Sequence, residues 1–509
     1  MKNQLLKSTI ILSTSIIISK FLGALYRIPL SNILGAEGIG VYQMIFPLYS
    51  LFLVFCTGGV STYLSQKISR LRAKGAYLEI NKTFKVAQNM CVAYGIVISC
   101  LLCFLSYFIS LIQGNTLATL GYVAISIGFV FSCLLGVYRG YFQGYENMFP
   151  TALSQVIEQT FKLVFGLLLA KKFVALGLKW GVFGALMGIT LSEIISYFFM
   201  LFYYSKNKTS MFVTIQKQDY NVAIKSCFSI SLTAIMLPLI STLDSLFASR
   251  FMVMSGLSTK TATSLFGIYS GMIVPMLNFP ILFISTICVA LLPNLSYKIQ
   301  KRKNASVLIN NSIFFVWLIS LPCAFGIMSI SSYVLKLLFP AINNDLFDIA
   351  NFSLKISSLN IIWLSIISLS GTILQAYGKY KLPCFSLAMA FLIKFIAMFF
   401  ITLNSKINIV GLSIINTLIY SFSAILNINF LKRFTAIKLS KKQVIIPVIL
   451  APIMAGCIIY LNKFIMFGNL LNFIISMTFG IIIYLSFSFM FKILDFSQIK
   501  TLIKNSKKS

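Results

Sequence analysis

Long apolar stretches separated by short polar connections occupy almost the whole chain. A transmembrane helix needs about 20 predominantly apolar residues, and fourteen stretches of the sequence meet that requirement. They lie near 8–34, 38–65, 86–110, 117–140, 149–170, 181–204, 226–250, 262–296, 305–330, 350–376, 382–403, 408–431, 443–462 and 468–491. Because backbone polar groups inside a bilayer must be satisfied within the protein, we predict an all-α polytopic membrane protein with about 14 transmembrane helices.

The composition supports this class and excludes several kinds of function. Hydrophobic residues make up 58% of the chain and charged residues only 10%, whereas about 25% charged residues is usual for soluble domains. The absence of histidine excludes histidine-based catalytic triads and histidine-ligated metal sites. The longest polar connections, near 206–222 and 331–348, are too short to form a domain of their own. We therefore expect a function carried by the helices, not an enzyme, and no cofactor or metal.

The basic residues indicate how the chain is oriented in the membrane. Lys and Arg number 42 against 10 Asp and Glu, which gives a formal net charge of +32. If the N-terminus is cytoplasmic, the predicted inner segments carry 29 of these cations and the outer loops carry 8. This bias follows the positive-inside rule. It predicts a multi-pass protein of the cell membrane with both termini in the cytoplasm, whose cations face anionic lipid headgroups and not nucleic acid.

Two distant segments resemble each other. The segment GVYRGYFQGYENMFP (136–150) precedes a helix that carries Lys162, and GTILQAYGKYKLP (371–383) precedes a helix that carries Lys394. The copies lie six helices apart, so they have the same orientation, and they predict two pseudo-symmetric six-helix lobes. The predicted parts are an N-terminal lobe with helices 1–6 (1–222), a C-terminal lobe with helices 7–12 (223–435), and helices 13–14 with a basic cytoplasmic tail (436–509). This arrangement is typical of transporters with a cavity between the lobes.

Charged residues inside the spans are the first candidates for a binding site, because each costs about 2.5 to 3.5 kcal/mol at a helix centre. Lys20 and Arg27 are seven residues apart and so share one face of the first helix. Arg27 also fits a side chain that reaches toward the outer interface. Asp244 and Arg250 lie near the outer end of the seventh helix, where local capping or pairing within the loop is the alternative interpretation.

The fifth predicted helix carries a polar stripe. Gln155, Glu158, Gln159 and Lys162 are spaced so that they share one face. Glu158 and Lys162 stand in the favourable i, i+4 order for an ion pair. The stripe fits a cargo site, and it equally fits a clamp between helices that binds no ligand.

The sign of the intramembrane charge favours an anionic cargo. Five cations lie within the spans, and three carboxylates, Glu158, Glu193 and Asp244, lie in or beside them. A cation-coupled multidrug exporter is the main alternative, but it would be expected to carry a carboxylate in the first helix, and none occurs before Glu37. An intramembrane glycosyltransferase would need catalytic carboxylates in an external loop, and the sequence has no D-x-D pair.

Several segments resemble one family of transporters. They are SKFLGALYRIPLSNILGAEGIGVYQM (19–44), RGYFQGYENMFPTALSQVIEQ (139–159), DSLFASRFMVMSG (244–256), GIYSGMIVPMLNFP (267–280) and ALLPNLS (290–296). They are similar to the stage V sporulation protein B and polysaccharide biosynthesis flippases, which belong to the multidrug/oligosaccharidyl-lipid/polysaccharide exporter superfamily and are related to the lipid II flippases. The resemblance implies an alternating-access carrier of an undecaprenyl-pyrophosphate-linked saccharide, in cell-wall or spore-cortex synthesis.

The resemblance also implies which residues contact the cargo. By motif, the family's first-helix cations correspond to Lys20 and Arg27, which would engage the pyrophosphate. Lys20 replaces the family's usual arginine, so the charge is kept and the planar guanidinium is lost. The arginine on the eighth helix of the best-known lipid II flippases has no counterpart in the uncharged segment 269–280. We expect a monomer, and the candidate cargo-binding residues are Lys20, Arg27, Arg139, Gln155, Glu158, Lys162, Asp244, Arg250 and Lys394.

Overall fold

A computed structural model describes residues 2–206, 215–301, 305–340, 342–402, 408–435, 440–464 and 468–491. Within these ranges the chain is helical and contains no strand. The helices are α1 (Lys2–Leu53), α2 (Gly59–Ala73), α3 (Tyr77–Gln113), α4 (Thr119–Gly144), α5 (Phe149–Val174), α6 (Leu178–Lys206), α7 (Lys217–Ala234), α8 (Met236–Leu243), α9 (Ser249–Met254), α10 (Thr259–Gly267), α11 (Val274–Gln300), α12 (Ser306–Leu338), α13 (Asn344–Ser357), α14 (Asn360–Ala376), α15 (Lys381–Thr402), α16 (Asn408–Lys432), α17 (Lys441–Leu461) and α18 (Asn469–Met490).

The described part of the chain contains 13 helical segments that are long and apolar enough to cross a membrane. The first of them, Thr14–Ala73, has 60 residues, which as a straight helix would rise about 90 Å, three times the apolar thickness of a bilayer. Gly35 interrupts it, with φ 68° and ψ −179°, a conformation that glycine adopts without steric penalty. The first two predicted spans lie on either side of this break, so the predicted count of about 14 and the all-α class are confirmed.

Exposed apolar side chains support the membrane assignment. Phe104 and Phe400 expose 78% and 70% of their surface, and dozens of other large apolar residues are also exposed. Soluble monomeric proteins rarely expose contiguous apolar surface on this scale. The chain is a multi-pass membrane protein.

Short π-helical segments interrupt the regular helices at three places in the described chain. They are Val54–Gly58, Asp244–Ala248 and Ile268–Ile273. The seventh predicted span, 226–250, is divided in the structure, because α7 ends at Ala234 and the membrane-spanning stretch there is Met236–Met254. Segments of this kind shift the faces of the helices they join, and they occur frequently at functional sites.

The first compact unit contains Met1–Met272 and Met398–Asn408. In it, α5 packs between α1 and α6, and α4 packs against α2, α3 and α6. The contact between α5 and α6 is close because glycines face each other: a side chain at Gly188 would lie 2.3 Å from the Cα atom of Gly166. This close contact fixes the polar stripe of α5 relative to α6.

Helix α10 crosses α1 within the same unit. A Cβ atom at Gly40 would lie 2.1 Å from the carbonyl oxygen of Thr263, and one at Gly267 would lie 2.1 Å from the carbonyl oxygen of Ala36. Only glycine leaves room for backbones this close. The two glycines therefore allow α10 to pack closely on the part of α1 that follows the break at Gly35.

The second compact unit contains Ile273–Ala397 and Ile409–Ser509. Helix α12 is its centre and packs against α14, α17 and α18, while α11 packs against α14. The indole Nε1 of Trp317 donates to the carbonyl oxygen of Val444 at 3.3 Å, which joins α12 to α17. A core of buried apolar residues, including Ile284, Leu295 and Ile373, lies between α11, α12 and α14.

The two units are defined by contacts, and their boundary differs from that of the predicted lobes. The first unit extends to Met272, because α10 packs against α1. The predicted lobes, 1–222 and 223–435, were defined by the similarity of two sequence segments and not by contacts. They stay a prediction.

Candidate functional site

Arg27 on α1 and Lys162 on α5 converge on the ring of Phe46. The Cζ atom of Arg27 lies 5.8 Å from the ring centroid, and the Nζ atom of Lys162 lies 4.9 Å from it. Lys162 Nζ also lies 5.5 Å from the ring centroid of Tyr26. Gly166 leaves room for Tyr26, because a Cβ atom at position 166 would lie only 2.8 Å from the ring of Tyr26. Each cation gains about 0.5 to 2 kcal/mol from an aromatic face, and the shared ring brings two positive charges close together.

The polar stripe of α5 faces α1. The hydroxyl of Ser15 donates to Gln155 Oε1 at 3.5 Å. A Cβ atom at Gly23 would lie 3.3 Å from Gln159 Oε1. One turn further along α5, Lys162 approaches the same helix, since its ring contacts come from α1. The predicted common face of these residues is therefore the surface of α5 that packs on α1.

Glu158 pairs with Arg139 of α4 instead of with Lys162, so the ion pair predicted from the i, i+4 spacing is wrong. Arg139 Nη2 donates to Glu158 Oε2 at 2.8 Å, and its Nε donates to Ser154 Oγ at 2.9 Å. The fixed donors of the guanidinium reach one carboxylate oxygen of Glu158 and the hydroxyl of Ser154 at the same time. Glu158 thus joins α4 to α5, as the clamp interpretation of the stripe requires.

Neither Arg27 nor Lys162 takes part in any of the three salt bridges that the described residues form. The carboxylate nearest in sequence to Lys162 is already held by Arg139. The pair of cations at Phe46, which we call the cation pair, therefore carries positive charge that is not neutralised by a salt bridge. Charges in such a poorly hydrated place attract a counter-ion strongly.

Glu193 on α6 is a buried carboxyl group close to this region. Its side chain is 4% exposed, and its Oε1 atom accepts a hydrogen bond from the hydroxyl of Tyr49. Tyr49 also lies 3.1 Å from Ser132 Oγ. The second carboxyl oxygen, Oε2, is buried and has no hydrogen-bond partner.

The other four predicted site residues, Lys20, Asp244, Arg250 and Lys394, take no part in the ring contacts of the cation pair. Lys20 is exposed on α1. Asp244 is buried in a π-helical segment. Arg250 is exposed and passes close to Gly114, where a Cβ atom would lie 3.3 Å from Arg250 Cδ. Lys394 is fully buried in the second unit. The structure brings Arg27, Arg139, Gln155, Glu158 and Lys162 together on α1, α4 and α5, and the role of all nine residues in binding cargo stays a prediction.

Two buried amides form a contact that the sequence did not indicate. Gln113 Nε2 donates to the carbonyl oxygens of Met44 at 2.7 Å and of Ser245 at 3.1 Å. Asn115 Nδ2 donates to Thr263 Oγ1 at 3.0 Å. These contacts, which we call the amide latch, tie the turn after α3 to α1, to α10 and to the π-helical segment 244–248. The sequence Gln-Gly-Asn at 113–115 is common in turns, so it did not indicate that these two amides make tertiary contacts.

The geometry of the cation pair is suited to binding an anion. The described residues contain no group of three or more His, Cys, Asp or Glu side chains that could hold a metal ion. The cation pair offers an ammonium and a guanidinium with hydrogen-bond donors suited to phosphate oxygens. Charge-assisted hydrogen bonds of this kind are about twice as strong as neutral ones. The site can therefore bind a phosphate or diphosphate group.

Comparisons with known proteins identify relatives of the chain. The sequence profile of a family described as polysaccharide biosynthesis protein matches residues 5–298. The lipid II flippase MurJ of Bacillus subtilis (strain 168) is 24% identical over 430 residues, which cover 78% of this chain and 77% of that protein. Stage V sporulation protein B of the same organism is 24% identical over 312 residues, covering 59% of this chain and 60% of that protein.

Solved structures show the same fold. A structure of lipid II flippase MurJ in an inward closed conformation superposes with a TM-score of 0.74 at 17% identity, covering 95% of this chain and 98% of that one. An inward-facing structure of a multidrug resistance MATE family transporter gives a TM-score of 0.67 at 16% identity, covering 82% and 96%. The fold is thus common to flippases and drug transporters, and it does not distinguish between them.

Proposed function

Because this chain belongs to the polysaccharide biosynthesis protein family, we propose that it is a flippase that moves an anionic lipid-linked saccharide across the cell membrane. The cargo is an undecaprenyl-pyrophosphate-linked saccharide, a peptidoglycan precursor or a polysaccharide unit used in cell-wall or spore-cortex synthesis. Transport is by alternating access and leaves the cargo chemically unchanged, so the protein is not an enzyme. It acts as a monomer with both termini in the cytoplasm.

The observation that carries the proposal is the cation pair. Arg27 and Lys162 contact the same ring, Phe46, and neither forms a salt bridge in the described chain. Unneutralised charge inside a membrane protein is expensive, so a chain that keeps it has a use for it. A diphosphate is the group in lipid-linked saccharides that needs two such cations.

Two relatives support the choice of cargo. One is named a lipid II flippase and the other a stage V sporulation protein. Both align with this chain over more than half of its length. The family profile spans residues 5–298 and so includes Arg27 and Lys162.

A cation-coupled multidrug exporter is the alternative, because its fold is shared with this chain. A cationic drug would be repelled by the charge of Arg27 and Lys162. The first helix carries no carboxylate before Glu37 that could receive it. The charges therefore favour the flippase.

Loss of the gene followed by mass spectrometry of lipid-linked intermediates tests the proposal. The host strain must lack its other members of the family, because they could transport the same cargo. We expect one undecaprenyl-linked species to accumulate, and its mass identifies the saccharide. Plasmid-borne wild-type protein should remove the accumulation, and Arg27→Ala should not. Unchanged lipid-linked intermediates with raised sensitivity to cationic drugs would support the exporter instead.

A further inference from the structure

The carboxyl group of Glu193 has one buried oxygen without a hydrogen-bond partner, which the binding of an anion at the cation pair does not require. Its Oε2 atom is buried without a hydrogen-bond partner and points toward Gly128, where a Cβ atom would lie 2.8 Å from Oε2 and 3.0 Å from Thr190 Oγ1. The hydroxyl of Thr190 donates to the carbonyl oxygen of Ala124 at 2.8 Å. The glycine thus leaves a small polar space beside one carboxyl oxygen.

No cation neutralises this carboxyl by direct contact. The described salt bridges do not include Glu193. The elements packed against α6 are α1, α4 and α5. Their ionisable groups in this region are Arg27, Tyr26, Tyr42 and Tyr49 on α1, Cys133 and Arg139 on α4, and Glu158 and Lys162 on α5. Arg139 is occupied by Glu158, so Lys162 is the cation whose field acts on Glu193.

A buried carboxylate without a paired cation is unstable relative to the neutral acid. The hydroxyl of Tyr49 stabilises the ionised form in part, because it donates to Oε1. The positive charge of Lys162 also favours ionisation. Whether Glu193 is ionised therefore depends on whether an anion neutralises the positive charge of Arg27 and Lys162.

We propose that Glu193 is a proton-binding site whose occupancy is coupled to the binding of an anion at Arg27 and Lys162. The inference rests on the proposed function, since it takes the cation pair as the anion site. An anion bound there cancels the field of Lys162 and adds negative charge, so Glu193 takes up a proton. By linkage, a protonated Glu193 strengthens anion binding by the same factor. One proton thus enters the site with the cargo and leaves when the cargo leaves.

The geometry favours a proton over a sodium ion as the occupant. A sodium ion needs several oxygen ligands at once. The hydroxyl of Thr190 is engaged with a backbone carbonyl, and that of Ser132 lies close to Tyr49 and to the carbonyl oxygen of Gly128. Two oxygens lie beside this space: Oε2 of Glu193, which has no hydrogen-bond partner, and Oγ1 of Thr190, which keeps its acceptor lone pairs. Two oxygens are fewer than a sodium ion needs. A single oxygen suffices for a proton.

Infrared difference spectroscopy on the full chain in lipid nanodiscs tests the coupling, with inorganic pyrophosphate as the probe. Addition of pyrophosphate should produce the C=O band of a protonated carboxylic acid, shifted in D₂O. The band should be absent in Glu193→Gln and present in Glu79→Gln, the control, whose carboxyl group is exposed in the first turn of α3. In Tyr49→Phe the band should persist at a shifted frequency, because the phenol no longer donates to the carboxyl. That shift assigns the band to Glu193 even if the glutamine variant fails to fold.

The pyrophosphate affinity should also depend on pH through the protonation of Glu193. With one linked proton the affinity falls by up to tenfold per pH unit as pH rises. In Glu193→Gln the contribution of Glu193 should disappear, leaving the titrations of pyrophosphate and of Lys162, which both proteins share. Replacing sodium by choline should change neither affinity.

Three outcomes overturn the inference. Binding of pyrophosphate without any carboxylic-acid band, or with a band that survives Glu193→Gln, excludes Glu193 and leaves the anion site intact. An affinity that follows sodium and not pH assigns the space at Gly128 to a metal ion. Absence of pyrophosphate binding at every pH removes the anion site, and then the proposed function fails together with the coupling.

Discussion

Phe46 is the residue that places the two cations of the proposed site near each other. Its ring lies 5.7 Å from that of Tyr42 in a stacked arrangement, and it contacts Arg27 and Lys162. A ring held in place by stacking positions both charges without neutralising them. Substitution by leucine should therefore weaken anion binding although Phe46 offers no hydrogen bond of its own.

Arg27→Ala should lower the affinity for inorganic pyrophosphate, and Arg27→Lys should restore part of it. Loss of a charge-assisted hydrogen bond removes about 1.5 to 3 kcal/mol, which is roughly ten- to hundredfold in affinity. Lysine restores the charge and lacks the bidentate guanidinium. Titration calorimetry of the purified chain measures the three affinities. Lys171→Ala is the control, because Lys171 is exposed in the last turn of α5, and an equal loss there would argue against a specific role of Arg27.

Removing one partner of the Arg139–Glu158 pair should destabilise the protein more than removing both. Glu158→Gln leaves a mostly buried guanidinium without its carboxylate, which costs roughly 1 to 3 kcal/mol. The double variant Arg139→Gln, Glu158→Gln leaves neither charge. Thermal unfolding of the two single variants and the double variant in detergent gives the coupling energy. Additive losses would show that the two side chains act independently.

The sequence showed which residues are unusual but not which partners they choose. Arg27 and Lys162 were identifiable because a charge in an apolar helix is rare. The partner of Glu158 was predicted from its own helix, and the structure supplies Arg139 from a neighbouring helix. Phe46 was not identifiable, because one more aromatic residue in an apolar run carries no pattern. Glu193 was noted only for its charge, and its partner Tyr49 is 144 residues away.

At the scale of helices, the break at Gly35 and the amide latch lie where α1 changes direction and where it contacts its neighbours. The latch joins the turn after α3 to α10, and α10 crosses α1 at Gly40. Alternating access requires contacts at helix ends that form in one state and separate in another. The latch consists of a few hydrogen bonds, so it can open without unfolding a helix.

A disulfide across the latch should block transport. Asn115 Nδ2 and Thr263 Oγ1 are 3.0 Å apart, so Asn115→Cys with Thr263→Cys should cross-link on oxidation in a background without the ten native cysteines. Flipping should stop and should return after reduction. Each single cysteine variant is the control for oxidation alone. A cross-linked protein that transports at the normal rate would mean that the latch stays closed throughout the cycle.

The start of α7 should loosen at low pH. Asp219 Oδ2 lies 2.8 Å from Lys82 Nζ and accepts from the backbone N–H of Gln216 at 2.8 Å. The hydrogen bond with Lys82, and then that with Gln216, lower the pKa of Asp219. A carboxyl whose pKa is lowered in the folded state stabilises that state at neutral pH and loses this contribution as pH falls through the lowered value.

Hydrogen exchange of the first turn of α7 measures this effect. At neutral pH, Asp219→Asn should exchange faster than the wild type. Once the pH is low enough to protonate Asp219 in the folded protein, the two proteins should exchange alike. Equal exchange at neutral pH would show that the ion pair does not hold the helix start.

The helices themselves were largely predictable, and their interruptions were not. Apolar length alone located the spans, because a bilayer imposes that length. The π-helical segment 244–248 contains ordinary helix-forming residues, and its geometry depends on the tertiary contacts that it makes. The end of α7 at Ala234 was not predictable either, because it lies inside a continuous apolar stretch. For this reason the seventh predicted span, 226–250, begins before the stretch Met236–Met254 that the structure shows.

At the scale of the whole molecule, the charge distribution connects membrane insertion with transport. The bias of cations toward the predicted inner segments is expected to orient the chain, and the cations at Phe46 lie on α1 and α5. The repeat of segments 136–150 and 371–383 predicted two lobes, each with a lysine on the following helix. The structure places Lys162 at the cation pair and buries Lys394 within the second unit. Sequence similarity between repeats therefore does not predict that both copies have the same surroundings.

The central claim is that the cation pair carries an anionic lipid-linked saccharide across the membrane. Its most direct test is transport of a radiolabelled undecaprenyl-pyrophosphate-linked saccharide in proteoliposomes that contain the purified chain. The measured quantity is the fraction of label that becomes accessible to a reagent that cannot cross the membrane. We expect transport by the wild type, none by Arg27→Ala or Lys162→Met, and no uptake of a fluorescent cation by any of them. Uptake of the cation without movement of the lipid-linked saccharide, or full transport by Arg27→Ala, would contradict the account.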